Sequence, residues 1–285
     1  MPDKKWKYDE MAIIEPSRVI DERKAIGLHP SCPVPVGAIM CYDAAFWQWV
    51  CENPGYAECD GWLKGAYLVP YRPSPAPPLS SFSARGKLRR TAKDNQILVL
   101  KVPGFGAPTA VMTLEELVAF GIKKFVSLGA AGGLQPNMNV GDIVICDRAI
   151  RDEGTSYHYL ADDKFAYASP EITENLCTAF KRKGIEYSIG SSWTTDAPYR
   201  ETFEKLRRHR SNGVATVEME ASALFAVSAY RGVSLSSVFA ISDILSEEDW
   251  NQGYHSKEKL ESLKQTFDIA LEAIAVDNNN KMKTK

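Results

Sequence analysis

The chain has 285 residues, of which 45% are hydrophobic and 25% are charged, values that are ordinary for globular proteins. A chain of this length can bury a substantial core, so neither a disulfide-stapled miniprotein nor a disordered or fibrous chain is predicted. Lysine and arginine total 34 against 36 acidic residues, and this net charge of −2 gives no general attraction for nucleic acid or for an anionic membrane. We therefore expect neither nucleic acid nor a membrane as a partner.

Targeting and metal-binding signals are absent from the sequence. It has no apolar stretch of about 18 residues, and its start, MPDKKWKYDE, lacks the apolar core of a signal peptide. We therefore expect a cytoplasmic protein. The six cysteines form no Cys-x-x-Cys pair and the chain has only four histidines, so no metal site is predicted and the cysteines are expected to be reduced.

The first 96 residues have an irregular pattern, with a proline-rich stretch at 70–78. Residues 44–50 space their bulky side chains as one short helix would, and the basic segment 83–90 is expected to be a solvated surface or loop. We assign residues 1–96 to an N-terminal portion of the same domain, elaborated with proline-rich loops.

From residue 97 onward, strands and helices alternate. Apolar runs predict strands at residues 97–102, 123–129, 141–150, 186–192 and 234–242. Helical periodicity with matching start and stop signals predicts helices at residues 108–120, 171–183, 217–230 and 257–275. This rhythm predicts one α/β domain with its core at 97–276, followed by a disordered tail at 277–285.

Three predicted strand ends carry unusual residues, and ligands of α/β sheets bind beyond the carboxyl ends of strands. The first is VPGFGAPTA at 102–110, whose glycines permit close backbone approach. The second is SLGAAGGLQP at 127–136, predicted to be a small-residue turn that suits either a flat ligand or a tight structural turn. The third combines VEMEA with ISD and places Glu218, Glu220 and Asp243 in apolar surroundings, where acids either pair structurally or bind a ligand.

Four segments, taken in order, resemble the motifs of one family: GFGAPTAVMTLEELVAFGIKKFVSLGAAGGLQPNMNVGDIVICDRAI, EGTSYHY, VEMEASALFAVSAYRG and ISD. This family is the nucleoside phosphorylase superfamily, which includes uridine phosphorylases, hexameric purine nucleoside phosphorylases and methylthioadenosine nucleosidases. The resemblance implies a single α/β domain with a twisted central mixed sheet flanked by helices, and a homo-oligomer built from dimers. It also implies cleavage of the N-glycosidic bond of a small-molecule nucleoside, with no cofactor and with phosphate as the co-substrate of the phosphorylases.

The resemblance assigns roles to individual residues. Met219 and Glu220 look like the ribose clamp, in which the carboxylate accepts hydrogen bonds from the 2′ and 3′ hydroxyls, and Glu218 lies near the base or the sugar. Asp243, supported by Ser242, corresponds to the acid that assists N7 of a purine leaving group. A purine is therefore favoured, and uridine is the second candidate. The remaining substrate-binding assignments are Ala131, Gly132, Thr195 and Asp196.

The chain departs from the family where phosphorylases hold phosphate. The family's Gly-Asp-Pro-x-Arg loop corresponds to a segment with Tyr42 in place of the glycine and Phe46 in place of the arginine. A second arginine corresponds to Ser127, and the Ser or Thr of the glycine-rich segment corresponds to Ala130. Because each charge-assisted hydrogen bond contributes about 1.5–3 kcal/mol, the loss of two arginines predicts weak phosphate binding. We assign the region of the phosphate or of a nucleophilic water to Gly104, Asp43, Ser127 and Ala130.

Several functions stay open at this point. Phosphorolysis would need replacement charge, for which the candidates are Arg72, Arg85, Arg89 and Arg90. Hydrolysis, as in the nucleosidase branch, needs no phosphate, and Asp43 is then the candidate for binding water, although Phe239 stands where nucleosidases have an arginine. A non-catalytic nucleoside-binding protein and a docking module built on the aromatic N-terminal region are further alternatives. His158 is expected to be a packing residue rather than a base.

Overall fold

The computed structural model describes Glu10 and residues 12–71, 96–246 and 250–276. Most of the proline-rich stretch 70–78, the basic segment 83–90 and the predicted tail 277–285 lie outside the described residues. Within the described ranges, no helix is long and apolar enough to cross a membrane.

The described residues form seven α-helices and eleven strands, which confirms the predicted α/β class. The helices are α1 (Pro16–Ala25), α2 (Ala44–Cys51), α3 (Ala107–Phe120), α4 (Pro170–Lys183), α5 (Phe203–Ser211), α6 (Ala221–Arg231) and α7 (Lys257–Ala275). The strands are β1 (Gly37–Cys41), β2 (Ala57–Glu58), β3 (Tyr67–Pro70), β4 (Gln96–Lys101), β5 (Lys124–Gly133), β6 (Ile143–Asp152), β7 (Phe165–Tyr167), β8 (Ser188–Thr195), β9 (Thr216–Glu218), β10 (Ser234–Leu245) and β11 (Trp250–Gln252).

The described strands belong to one mixed sheet centred on β5. One edge of β5 pairs in parallel with β10, and the other pairs first in parallel with β1 and then antiparallel with β9. Beyond β1 the sheet continues through β4, β3 and β2, so the N-terminal portion contributes strands to the same sheet. Strands β5, β10, β6, β8 and β9 pair in a closed ring, which curls this part of the sheet into a small barrel.

Two apolar cores lie on opposite faces of the sheet. Leu98 and Leu100 of β4 point into the core formed with α3 and α6, whereas Ile97 and Val99 point into the core formed with α2, α4 and α7. Because successive side chains of a strand alternate between faces, burial on both faces explains why the sequence of β4 has no polar position between residues 97 and 100.

Two predicted boundaries are wrong. The segment 127–136 does not turn at its glycines, because β5 continues through Gly133 beside β10. A Cβ at Gly132 would lie 2.5 Å from Leu245 Cδ1, so this glycine serves close packing of neighbouring strands rather than a change of direction. The predicted helix at 217–230 also starts late: Glu218 ends β9, and α6 begins only at Ala221.

Candidate functional site

A cavity of about 650 Å³ lies where the parallel strands of the sheet end. Strands β4, β1, β5 and β10 run in the same direction, so their carboxyl ends meet at this edge. Pairing of β5 with β1 stops at Leu128, and pairing with β9 starts at Gly132. Residues 129–131 lie between these two pairings and line the cavity, so the cavity wall here is an unpaired strand edge rather than a turn.

The cavity brings most of the predicted site residues together. Those that line it are Asp43, Ala130, Ala131, Gly132, Glu218, Met219, Glu220, Ser242 and Asp243. Their roles in binding and catalysis stay predictions.

Four predicted site residues do not line the cavity, and three of them have local partners. Ser127 Oγ lies 3.2 Å from the Tyr42 hydroxyl, Thr195 Oγ1 accepts a hydrogen bond from the backbone of residue 197, and Asp196 Oδ2 accepts one from the backbone of residue 154. Gly104 lies just before Phe105, which does line the cavity. Thr195 and Asp196 therefore have loop contacts in the structure, and their predicted roles in substrate binding stay predictions.

Glu218, the last residue of β9, has hydrogen bonds to both of its carboxyl oxygens. Its Oε2 accepts from the backbone N–H groups of Glu220 and Ala221 at 2.8 and 2.7 Å. Its Oε1 accepts from the hydroxyls of Thr194 at 2.6 Å and Ser192 at 3.0 Å. Burial raises the pKa of Glu218, and these four donors oppose that rise. The side chain thus holds β8, β9 and the helix start together.

Glu220 has one carboxyl oxygen that no group in the described part of the chain contacts by a hydrogen bond. Its Oε1 accepts a 2.6 Å hydrogen bond from the backbone N–H of Gly106, and within the described residues Oε2 accepts none. Burial, followed by the nearby charge of Glu218, raises the pKa of Glu220 to about 8. A buried carboxyl with a free oxygen in a cavity can bind hydroxyl groups of a ligand.

Asp243 lies near the end of β10 and is 3% exposed. Its Oδ1 accepts from the Ser242 hydroxyl at 2.6 Å, and its Oδ2 accepts from the indole N–H of Trp250 at 2.7 Å. The pairing of β10 with β5 shifts register between Ile241 and Asp243. Such an irregularity changes the direction of the side chains that follow it, and both Ser242 and Asp243 line the cavity.

Two charged residues of the cavity were not predicted from the sequence, one glutamate and one lysine. Glu201, in the segment between β8 and α5, lines the cavity, and burial followed by the charge of Asp243 raises its pKa to about 7. Lys259, on the first turn of α7, is buried and donates to Asp43 Oδ2 at 2.7 Å and to the backbone carbonyl of Tyr254. Lys259 sits in an ordinary amphipathic pattern, so no sequence signal marked it.

Asp43 has two structural contacts at the cavity wall. Its Oδ1 accepts from the backbone N–H of Phe46 at 2.8 Å and caps α2, and its Oδ2 holds Lys259. The same segment carries Tyr42, whose buried ring lies where a Cβ on Gly129 would meet it at 3.3 Å. Burial, followed by the charge of Glu220, raises the pKa of Tyr42 well above 10, so its hydroxyl stays protonated at neutral pH.

Acidic residues outnumber basic residues in the described lining of the cavity. Among the described lining residues are five carboxyl groups, from Asp43, Glu201, Glu218, Glu220 and Asp243, against one lysine and one histidine. Within the part of the chain that the structure describes, no group of three or more His, Cys, Asp or Glu side chains is arranged to hold a metal ion.

Comparison with known proteins identifies the family. A family model described as "Phosphorylase superfamily" matches residues 77–275, well over half of the chain. The chain belongs to this superfamily. The resemblance inferred from the sequence motifs is therefore confirmed, as is the fold that it implies.

Individual members of the superfamily show how far the likeness extends. A uridine phosphorylase of Haemophilus influenzae is 30% identical over 162 residues, which are 52% of this chain and 64% of that protein. A DeoD-type purine nucleoside phosphorylase of Bacillus cereus is 29% identical over 173 residues, 60% of this chain and 72% of that protein. The chain thus spans just under two thirds of the Haemophilus phosphorylase, and the base preference is not resolved at this identity.

A solved structure confirms the fold of the superfamily. The purine nucleoside phosphorylase of Toxoplasma gondii, crystallised in complex with immucillin-H, aligns with a TM-score of 0.68. The alignment covers 88% of this chain and 93% of that chain at 21% sequence identity.

Proposed function

We propose that the protein is an enzyme that cleaves the N-glycosidic bond of a nucleoside in this cavity, with a purine nucleoside as the preferred substrate. The proposal depends on Glu220, a buried residue that lines the cavity and whose Oε2 has no hydrogen-bond partner among the described residues. The cavity, at about 650 Å³, lies within the usual range of small-molecule sites and has room for a base and a ribose. Its relatives are phosphorylases of nucleosides, which supports an enzyme.

Glu220 would act on the sugar. Its free oxygen can accept hydrogen bonds from the two vicinal ribose hydroxyls, which fixes the orientation of C1′. As the bond from C1′ to the base nitrogen lengthens, positive charge develops on the ribose ring. The carboxyl groups of the cavity stabilise that charge, and their preorganised positions make the stabilisation effective.

Asp243 and Ser242 would act on the base. They lie at the end of β10 on the cavity wall, and a purine presents N7 and its neighbouring substituent as a polar edge. A carboxyl group at that edge favours a purine over a pyrimidine, because pyrimidine bases have no N7. The proposed partners are therefore a small-molecule purine nucleoside and a nucleophile.

A second copy of the chain is part of the proposal. Phe105 lines the cavity yet is 72% exposed, and Met112 on α3 nearby in sequence is 67% exposed. Exposed apolar side chains, one of them at the cavity, are typical of surfaces that contact another subunit, and we propose a homo-oligomer built from dimers. Light scattering of the purified protein would test this, and a monomer at working concentration would contradict it.

Water is a second candidate for the nucleophile, which would make the enzyme a hydrolase. The observation that favours water is the acidic lining of the cavity, whose one lysine among the described residues is paired with Asp43. Phosphate carries about two negative charges at neutral pH and would be repelled by those carboxyl groups of the cavity that are ionised, whereas water carries no charge.

A nucleoside panel tests the proposed function. Purified protein is incubated with inosine, guanosine, adenosine and uridine, with and without inorganic phosphate, and free base, ribose and ribose 1-phosphate are measured. We expect base release that is fastest with a purine nucleoside. Tight nucleoside binding without any cleavage would instead favour the non-catalytic binding protein, and neither binding nor cleavage would overturn the proposal.

A further inference from the structure

Trp250 is the first residue of β11, which pairs antiparallel with the end of β10. In this pair Trp250 lies opposite Leu245, and Gln252 lies opposite Asp243. Asp243 comes two residues before Leu245, so its side chain lies on the same face of the pair as the indole, as a diagonal neighbour. An aromatic side chain can span this diagonal. The strand pairing therefore places the indole beside the Asp243 carboxyl.

The Asp243 carboxyl is hydrogen-bonded at both oxygens. The indole N–H of Trp250 donates to Oδ2 at 2.7 Å, and the Ser242 hydroxyl donates to Oδ1 at 2.6 Å. The terminal torsion of an aspartate is otherwise broad, so two fixed donors determine the plane of the carboxyl. An oxygen that accepts one hydrogen bond has a second lone pair, so the carboxyl can still carry a proton or bind a base. Ser242 is on the same strand, and Trp250 is the donor from another strand.

Two further contacts hold Trp250 and β11 in place. The Trp250 ring meets the ring of Tyr254 edge to face, with centroids 5.9 Å apart, and Tyr254 lines the cavity. Gly253 follows β11 directly, and a Cβ there would lie 2.7 Å from the carbonyl oxygen of Ser242. Only glycine permits this close approach of the two backbones. Trp250 itself is not among the described residues that line the cavity, so it can act on a bound nucleoside only through a neighbour.

We propose that Trp250 is a positioning residue, whose indole N–H holds the Asp243 carboxyl in the orientation in which it meets N7 of the leaving purine. This inference rests on the proposed function. When the C1′–N9 bond breaks, its electron pair passes to the purine ring and N7 takes the proton from the Asp243 carboxyl. The oxygen nucleophile bonds to C1′ and releases a proton that restores the carboxyl. The indole donates to a neutral carboxyl before the transfer and to a carboxylate after it, and the second hydrogen bond is the stronger one.

The test compares a substrate that depends on the acid with one that does not. Inosine departs as an anion unless N7 is protonated, whereas 7-methylguanosine already carries a positive charge and departs as a neutral base. Both are measured with wild type, Trp250→Phe, Asp243→Asn and the double variant. Trp250→Phe keeps an aromatic ring and removes the N–H donor. The matched control is Trp47→Phe, in α2, whose ring packs against Tyr67 and does not line the cavity.

We expect Trp250→Phe to lower kcat for inosine by about 10–10²-fold with little change in KM, because a misplaced reacting group costs rate on this order. Cleavage of 7-methylguanosine should be nearly unchanged, since its base takes up no proton. Trp47→Phe should behave as wild type with both substrates. A tryptophan with a merely structural role would instead affect the two substrates alike.

The double variant tests whether Trp250 acts through Asp243. Residues that act as a unit have non-additive effects, so Trp250→Phe should cause little further loss of inosine cleavage once Asp243→Asn is present. Nuclear magnetic resonance of the indole N–H groups tests the contact without catalysis. The Trp250 resonance, assigned by its absence in Trp250→Phe, should move upfield in Asp243→Asn, because an amide oxygen is a weaker acceptor than a carboxylate.

Four results would overturn the inference. They are a wild-type inosine rate in Trp250→Phe, equal slowing of both substrates, effects of Trp250→Phe and Asp243→Asn that multiply in the double variant, and an indole resonance that Asp243→Asn leaves in place. A wild-type protein that cleaves neither substrate would overturn the proposed function itself, which is a distinct outcome.

Discussion

The backbone N–H of Gly106 donates to Oε1 of Glu220 across 2.6 Å and joins the loop after β4 to the start of α6. Gly106 has a φ of +95°, a conformation that side-chain-bearing residues rarely adopt. The loop can therefore aim this N–H at the carboxyl only with glycine at the position. The backbone thus fixes one oxygen of Glu220, and the other has no hydrogen bond from the residues that the structure describes.

The first prediction concerns that free oxygen. Glu220→Gln should lower nucleoside cleavage by at least about 10²-fold, because an amide nitrogen cannot accept the hydrogen bond that a carboxyl oxygen can accept, nor can it ionise as positive charge develops on the ribose. The fold should persist, since only one protein hydrogen bond ends on this side chain among the described residues. Steady-state kinetics and circular dichroism check both halves. Loss of the folded state would instead show that the carboxyl is structural.

Glu218 should give the opposite outcome. Its four hydrogen bonds join β8, β9 and α6, so Glu218→Ala leaves four buried donors without their acceptor. We expect the free energy of unfolding to fall by about 2–4 kcal/mol, which is typical of breaking a buried polar network. Urea denaturation measures this value. An unchanged midpoint with unchanged slope would contradict the structural role.

The third prediction is a pH dependence of stability that comes from Glu220. Its pKa is raised from 4.5 to about 8 in the folded protein. Between these values the unfolded chain has lost the proton and the folded protein retains it, so stability falls as pH rises, by up to about 1.4 kcal/mol per pH unit. Below this window both states are protonated, and above it both are ionised. Glu201 acts in the same direction.

Urea denaturation across that window tests the linkage. Glu220→Gln should flatten the fall in unfolding free energy, because the titrating group is gone. The exposed Glu204→Gln serves as the control and should retain the wild-type slope. A Glu220→Gln protein with the same slope as the wild type would show that other groups dominate the dependence.

The sequence predicted the regular part of the fold because its patterns are local. The run at 97–102 is apolar on both faces, and the amphipathic pattern at 257–275 matches α7. The turn predicted at residues 129–133 is wrong, because pairing with β10, a segment distant in sequence, keeps these small residues in an extended strand. The glycine-rich sequence by itself predicts a turn.

Candidate site residues could be predicted from the sequence where they belong to a short motif. Those that enter the cavity through contacts with distant parts of the chain could not. Glu220 and Asp243 follow from short motifs at strand ends. The burial of Lys259 depends on Asp43, a partner 216 positions away, and no local pattern records such a contact. The raised pKa of Glu201 likewise results from burial and from the charge of Asp243, which lies on β10.

The last prediction is that phosphate stimulates this enzyme less than it stimulates an ordinary phosphorylase of the superfamily. Phe46 is buried in the core with Phe267, so it offers no donor to an anion. Ser127 Oγ lies 3.2 Å from the Tyr42 hydroxyl rather than facing the cavity. Lys259 is already paired with Asp43. The described residues therefore supply little positive charge for a dianion.

Arg72 and the arginines at 85–90 lie outside the described residues and are the candidates to restore that charge, from this subunit or a neighbouring one. Free ribose and ribose 1-phosphate should be quantified in phosphate-free buffer and across a phosphate titration, for the wild type and for Arg72→Ala. We expect a smaller increase in cleavage rate across the phosphate titration than an ordinary phosphorylase of the superfamily shows. Exclusive and saturable formation of ribose 1-phosphate would contradict it, because that product requires a phosphate site. Loss of that product in Arg72→Ala would then identify the arginine that replaces the missing ones.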